Sequence, residues 1–154
     1  MSGHSEAWHS ASFVKEAIAE KLEGVNKEVT FRAYSASNEL RNASLHILRG
    51  QRSGRRYKIP HTRQTYAASA PGEPPANRTG VFRLSWGSRV RALKSGSGFE
   101  AVVAIESNIK VGRYLLGDIL EGGTSRMKSR PYKEAIRERA MGKIKEIYSK
   151  PYKV

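Results

Sequence analysis

The segment Ala70-Pro71-Gly72-Glu73-Pro74-Pro75 constrains this chain more than any other. Each proline fixes φ and lacks an N–H, so the segment can enter neither a regular helix nor a central strand. It predicts an extended loop over 68–80, with helical patterns before it and mixed patterns after it. The chain has 154 residues, 38% of them hydrophobic, which supports one modest core and a single domain over 1–154. It has no cysteine, so disulfides and thiolate metal sites are excluded.

Before the loop the apolar period is helical. Residues 10–23 place Phe13, Val14, Ala17, Ile18 and Leu22 on one stripe. Gly24 interrupts that pattern, and a second helix is expected from Asn26 to Leu48, with Val29, Ala33, Leu40, Ala43 and Ile47 on one face and Gly50 as its stop. One long helix bent near Gly24 is the alternative. Residues 1–9 are expected as a disordered tail. After the loop, Arg89–Lys94 and Phe99–Glu106 flank Ser95-Gly96-Ser97-Gly98 as a β-hairpin. Phe99, Ala101, Val103 and Ile105 form its apolar face, and Trp86 is expected to pack near its start. A strand near Arg56–Ile59 is weakly signalled.

Leu115, Leu116, Ile119 and Leu120 form a short helical stripe that Gly122-Gly123 stops. Pro131 suits the opening of a last helix, with Tyr132, Ala135, Ile136, Ala140, Ile144, Ile147 and Tyr148 inward and Pro151 ending it. Glu134 and Arg137, three residues apart, can pair. The fold class is α+β: N-terminal helices, a small antiparallel β-sheet with a long Pro-rich loop, and a C-terminal helix packed on the sheet.

Charge narrows the function. Lys and Arg number 28 against 14 Asp and Glu, a net charge of +14, which favours a polyanionic partner. Asp118 is the only aspartate, and the glutamates are dispersed among Lys and Arg, so a paired-carboxylate site is not expected. His4, His9, His46 and His61 have no metal-ligand spacing, and no GxSxG elbow or phosphate loop is present. The chain therefore reads as a non-enzyme without a cofactor. Met1–Ser12 are polar, without the apolar stretch of a secretory leader, and no run is long enough to span a membrane, so a soluble, unsecreted protein is expected. Arg49, Arg52, Arg55, Arg56, Lys58 and Arg63 cluster with Tyr57 and Tyr66. Such a stretch fits non-specific phosphate contact or an acidic protein surface.

Two stretches carry a resemblance. One runs Ser69-Ala70-Pro71-Gly72-Glu73-Pro74-Pro75-Ala76-Asn77-Arg78-Thr79-Gly80, then Phe82-Arg83-Leu84-Ser85. The other has Tyr114, Leu120-Glu121-Gly122-Gly123-Thr124, Met127, Arg130-Pro131-Tyr132 and Ala135. From about Arg55 to Ala140 the chain resembles the tail-completion, or neck, family of long-tailed bacteriophages. It departs from that pattern at Gly117-Asp118, at Gly122, and in having Tyr132 for Phe.

The resemblance implies a structural virion protein made in the bacterial host cytoplasm. It would form a ring, six copies by analogy with tail symmetry, at the joint of head and tail. Its partners would be itself, the head connector or head-closure protein, and the tail-tube or tail-terminator protein, with DNA passing transiently through the lumen. A head-closure or tail-terminator ring is the alternative within the virion, and a cellular non-specific nucleic-acid-binding protein is the alternative outside it. The candidate interface is Arg52, Arg55, Arg56, Lys58, Pro71, Glu73, Pro74, Pro75, Glu121, Thr124 and Arg130, with the basic members expected to meet an acidic rim. Glu121 falls at a helix C-terminus, the unfavourable end for a carboxylate, so an arginine partner in the same chain or a neighbouring subunit is expected. Gly72 and Gly80 are expected to serve turns with positive φ.

Overall fold

The computed structural model describes residues 3–95 and 98–152. One helix, α1 (Gly3–Arg49), takes up nearly the first third of the chain. Gly24 does not break it. A single interior glycine costs only about 1 kcal/mol against alanine, and no proline accompanies it. The two helices expected there are thus one. Of the tail expected over 1–9, residues 3–9 are helical, and Met1 and Ser2 lie outside the described residues.

Among the described side chains of α1, the buried ones lie in its second half. Ala33, Ala36, Ser37, Ala43, Ser44 and Leu48 are buried along it, whereas residues 12–23 are all exposed. The small residues let neighbouring elements approach α1 closely.

Three short antiparallel pairs follow. β1 (Arg56–Lys58) pairs with β2 (Thr65–Ala67), giving the weakly signalled strand its partner. The short helix α2 (Val81–Leu84) leads through Trp86 into β3 (Gly87–Ser95), which pairs antiparallel with β4 (Gly98–Glu106) as the expected hairpin, with Ser95 and Gly98 joined to the ladder. Gly96 and Ser97, the centre of the expected turn, lie outside the described residues. In β4, Phe99, Ala101, Val103 and Ile105 face inward and alternate with exposed Glu100, Val102 and Ala104. β5 (Lys110–Val111) and β6 (Tyr114–Leu115) form a small turn before α3 (Leu116–Gly122). The last helix is α4 (Lys133–Ser149).

The architecture is α+β, with separate two-stranded ladders instead of one continuous sheet. α1 is its spine. The β3–β4 hairpin and α4 both pack on α1. The C-terminal helix, expected on the sheet, runs chiefly along α1 and shares the core with the sheet where β4 ends, at Ile105. The core centres on Ala43, Leu48, Trp86, Tyr132, Ile136 and Ala140. Phe82, Trp86 and Tyr132 meet edge to face, with centroids 5.6 to 5.8 Å apart, the geometry that aromatic quadrupoles prefer. Tyr132 is 1% exposed.

Candidate functional site

The two stretches that carry the resemblance meet in space. Residues 68–80 are irregular, as the prolines require, but they are tied down on both sides. From one side, Arg130 donates to the carbonyls of Ser69 and Ala70, and the Gly72 N–H donates to the Ser129 carbonyl at 3.3 Å. From the other, Arg52 donates to the carbonyls of Pro74 (2.6 Å), Pro75 (3.1 and 3.2 Å) and Ile47 (2.7 Å), the last in the final turn of α1. Prolines have no N–H but keep their carbonyls, and a guanidinium with five donors in a planar fork can satisfy several acceptors at once. Arg52 therefore staples the loop to the end of α1.

Glu73 completes this bracket. Its carboxylate accepts from Ser53 Oγ at 2.6 Å, from the Ser53 N–H at 3.1 Å and from the Ala70 N–H at 2.9 Å. Those bonds to Ser53 and Ala70 lower its pKa to about 2, because they favour the charged form. Gly72 and Gly80 have φ of 83° and 79°, as their turns require. At Gly54 a Cβ would lie 2.4 Å from the Ala68 carbonyl oxygen, so the backbone before β1 passes too close to that after β2 for any side chain.

In the second stretch, Glu121 has no arginine partner among the described residues. Its carboxylate instead accepts from the backbone N–H groups of Tyr132 (3.0 Å) and Lys133 (3.2 Å), capping the start of α4. The carboxylate leaves the C-terminal end of α3 only to sit at the N-terminal end of α4, where negative charge is favoured. Thr124 Oγ1 accepts from the Arg126 and Met127 N–H groups and closes a turn. Gly123 is required there: its φ is 75°, and a Cβ would lie 2.7 Å from Met127 O.

The expected interface residues thus fall into two sets. Arg52, Glu73, Glu121, Thr124 and Arg130 make side-chain hydrogen bonds within the chain, and Pro74 and Pro75 accept through their carbonyls. Arg55, Arg56 and Lys58 are exposed on the β1–β2 hairpin, with Arg63 near its tip, and Pro71 is exposed on the loop. Among the described residues these four cations make no ion pair. Arg55 lies over the Tyr57 ring at 5.7 Å, and Tyr57 and Tyr66 are 6.0 Å apart. A cleft of about 580 Å³ at the hairpin foot is lined in part by Arg49, Arg56, Tyr66 and Asn77. This surface can receive carboxylates or phosphates; within the cleft, Arg52 is already engaged.

Some functional features escaped the sequence reading. Arg32 is buried in α1, paired with Glu28 at 3.0 Å, and donates to the carbonyls of Lys150 (2.6 Å) and Pro151 (2.8 Å), with Tyr152 stacked on it at 4.1 Å. It locks the chain end onto the spine. Its only sequence signal was Glu28 four residues earlier. A groove of about 510 Å³ bounded by α2, α3 and the Pro-rich loop is largely apolar, and it too had no linear signature, because its walls come from distant segments. Among the described residues no group of three or more His, Asp or Glu converges as metal ligands do, and no helix is long and apolar enough to cross a membrane. No family model matches the chain, and neither a curated protein nor a solved structure matches it.

Proposed function

We propose that this chain is a structural subunit of the neck of a long-tailed bacteriophage, a ring protein that completes the tail and joins it to the head. One observation carries the reading: the two stretches resembling tail-completion proteins, about sixty residues apart, form a single hydrogen-bonded bracket through Arg130, Ser69, Gly72 and Ser129. The ordered string of residues in each stretch then has a common physical purpose, to hold a proline loop at the foot of a basic hairpin. An assembly role also fits the exposed apolar stripe of α1, since surfaces of that kind mark contact sites. In this reading the protein is not an enzyme, needs no cofactor and resides in the virion.

Deleting the gene from the phage that encodes it tests the proposal. The expected result is DNA-filled heads and separate tails in electron micrographs of the lysate. Normal infectious virions from a verified deletion would overturn it. The exposed cations of the β1–β2 hairpin, without ion pairs among the described residues, favour a second reading, a non-specific nucleic-acid-binding protein. That reading requires DNA affinity of the purified chain that falls steeply with salt.

A further inference from the structure

The neck reading leaves one cavity without a role. The groove bounded by α2, α3 and the Pro-rich loop encloses about 510 Å³, within the range of small-molecule sites. Its apolar walls come from Leu48 of α1, Phe82 of α2, Leu116 and Leu120 of α3, and Ile109 and Met127 of the neighbouring loops. Set among them are three arginines, Arg78, Arg83 and Arg130, and no acidic side chain.

Arg130 is already engaged, donating to the carbonyls of Ser69 and Ala70. Arg78 and Arg83 form no hydrogen bond and no ion pair among the described residues. Arg83 is the anomaly of the two. Its side chain is half-buried, and its Nε–H is shut off from solvent with no acceptor. The Ser69 hydroxyl on the same wall is also without a partner, in a residue only 6% exposed. A guanidinium that gives up water and gains neither an acceptor nor a counter-charge is unfavourable. It reads as one half of a contact whose other half lies outside the chain.

We infer that the groove binds a small amphipathic carboxylate. The apolar body lies among Phe82, Leu116 and Met127, and the carboxylate meets the outer nitrogens of Arg83, with Arg78 beside it. The two oxygens of a carboxylate match the paired N–H groups of a guanidinium. A peptide is the poorer occupant, because a main chain needs backbone partners and this wall has few left. The carbonyls of Ser69 and Pro75 are already taken by Arg130 and Arg52, and Pro75 has no N–H. The site is independent of the neck reading, and neither depends on the other.

Methyl NMR of the full chain tests it, because Met127 lines the groove and Met141, on α4, does not. With labelled methionine methyls, decanoate below its micellar range is expected to shift the Met127 resonance saturably and to leave Met141 in place. Decanol, which lacks the charge, is expected to bind about tenfold more weakly, and so is decanoate to Arg83→Gln, the loss of one charge-assisted contact. Arg78→Gln, at an exposed position, is expected to weaken decanoate in the same direction with an unchanged circular dichroism spectrum, and keeps the test open if Arg83→Gln does not fold. Arg55→Gln with Arg56→Gln, on the β1–β2 hairpin, is expected to bind as wild type. Three results overturn the site: no saturable shift at Met127, decanol binding as well as decanoate, or an equal loss in the hairpin variant, which would reduce the effect to net charge. A leucine-ended peptide with a free carboxylate that takes the Met127 site more tightly than decanoate would give the groove to a protein terminus and overturn the assignment to a small molecule.

Discussion

The phenol of Tyr132 donates a hydrogen bond of 3.1 Å to the carbonyl of Gly117, and a Cβ on Gly117 would lie 2.6 Å from that same hydroxyl. In the proposed tail-completion reading, both residues are departures from the family's pattern. The larger aromatic needs a hydroxyl-sized space and a polar partner in the core, and the glycine supplies both. Burial, then the nearby carboxylates of Glu121 and Asp118, push the phenol well above its usual pKa, so it remains a donor.

Gly117→Ala is therefore expected to destabilise the protein. Overpacking a core by one methyl costs about 1–3 kcal/mol, more than the roughly 1 kcal/mol that alanine gains in helix propensity. Tyr132→Phe alone forfeits about 1 kcal/mol of hydrogen bonding. Combined, the two changes are expected to cost less than their sum, since phenylalanine vacates the space the methyl needs. Urea denaturation of the four proteins measures this coupling, and strict additivity would refute it.

Removing the α4 cap gives a second test. Glu121→Ala is expected to lower stability by about 0.5–2 kcal/mol, the usual worth of an N-terminal cap. Glu121→Gln keeps an acceptor and loses only the charge–dipole part, about 0.3–1 kcal/mol. Thermal melts at low and high salt separate the two contributions, because only the second is screened. Equal melting of all three proteins would show that the capping bonds contribute nothing.

Glu73 makes stability pH-dependent in a defined direction. Its folded pKa, about 2, lies below the ordinary 4.5, so the folded state holds the proton less tightly than the unfolded state. The contribution is complete above about pH 4.5 and is lost as pH falls towards 2. Glu73→Gln is expected to flatten the acid side of the urea-midpoint profile between those values and to leave the neutral side parallel to wild type. Ser53→Ala, which removes one of the donors to Glu73, is expected to fall between them. An unchanged acid limb in Glu73→Gln would remove Glu73 as its source.

The arginines near the loop are expected to separate by role. Arg52→Ala strips donors from four carbonyls, those of Ile47, Gln51, Pro74 and Pro75, and is expected to cost about 1–3 kcal/mol, with faster hydrogen exchange at the Gly72 and Glu73 amides in the free protein. Lysine at 52 is expected to rescue little, because an ammonium lacks the planar fork. Joint reversal of Arg55, Arg56 and Arg63 to Glu is expected to leave stability within about 1 kcal/mol, since exposed charges contribute little. The neck reading expects that variant to stop heads joining tails, with rescue by acid-to-base changes on the neighbouring ring. Normal joining with altered DNA retention would assign the hairpin to the channel instead.

The legible parts of this protein are those with a linear signature. Alternation along Phe99–Glu106 marked β4 and its inward face, and Gly122-Gly123 marked the end of α3. Three prolines placed the irregular loop, and the offset from Glu134 to Arg137 anticipated a pair that forms at 3.2 Å. Gly24 misled because a glycine weakens a helix without ending it. The intrachain hydrogen bonds of Arg52, Glu73 and Arg130 were not legible for a related reason. Composition counts charges but not the backbone carbonyls and amides that folding brings to them, and here those groups come from residues twenty to sixty positions away.

Local periodicity and backbone chemistry therefore determined the element types, the loop and the excess of positive charge, because each depends on residues a few positions apart. Tertiary structure alone decided that α1 is the spine on which both the hairpin and α4 pack. It decided that Glu121 caps a helix eleven residues beyond it. Those relationships arise from close packing between distant segments. A glycine methyl, a phenol or a guanidinium acquires its meaning there only from the atoms within a few ångströms of it, and no pattern along the chain records which atoms those are.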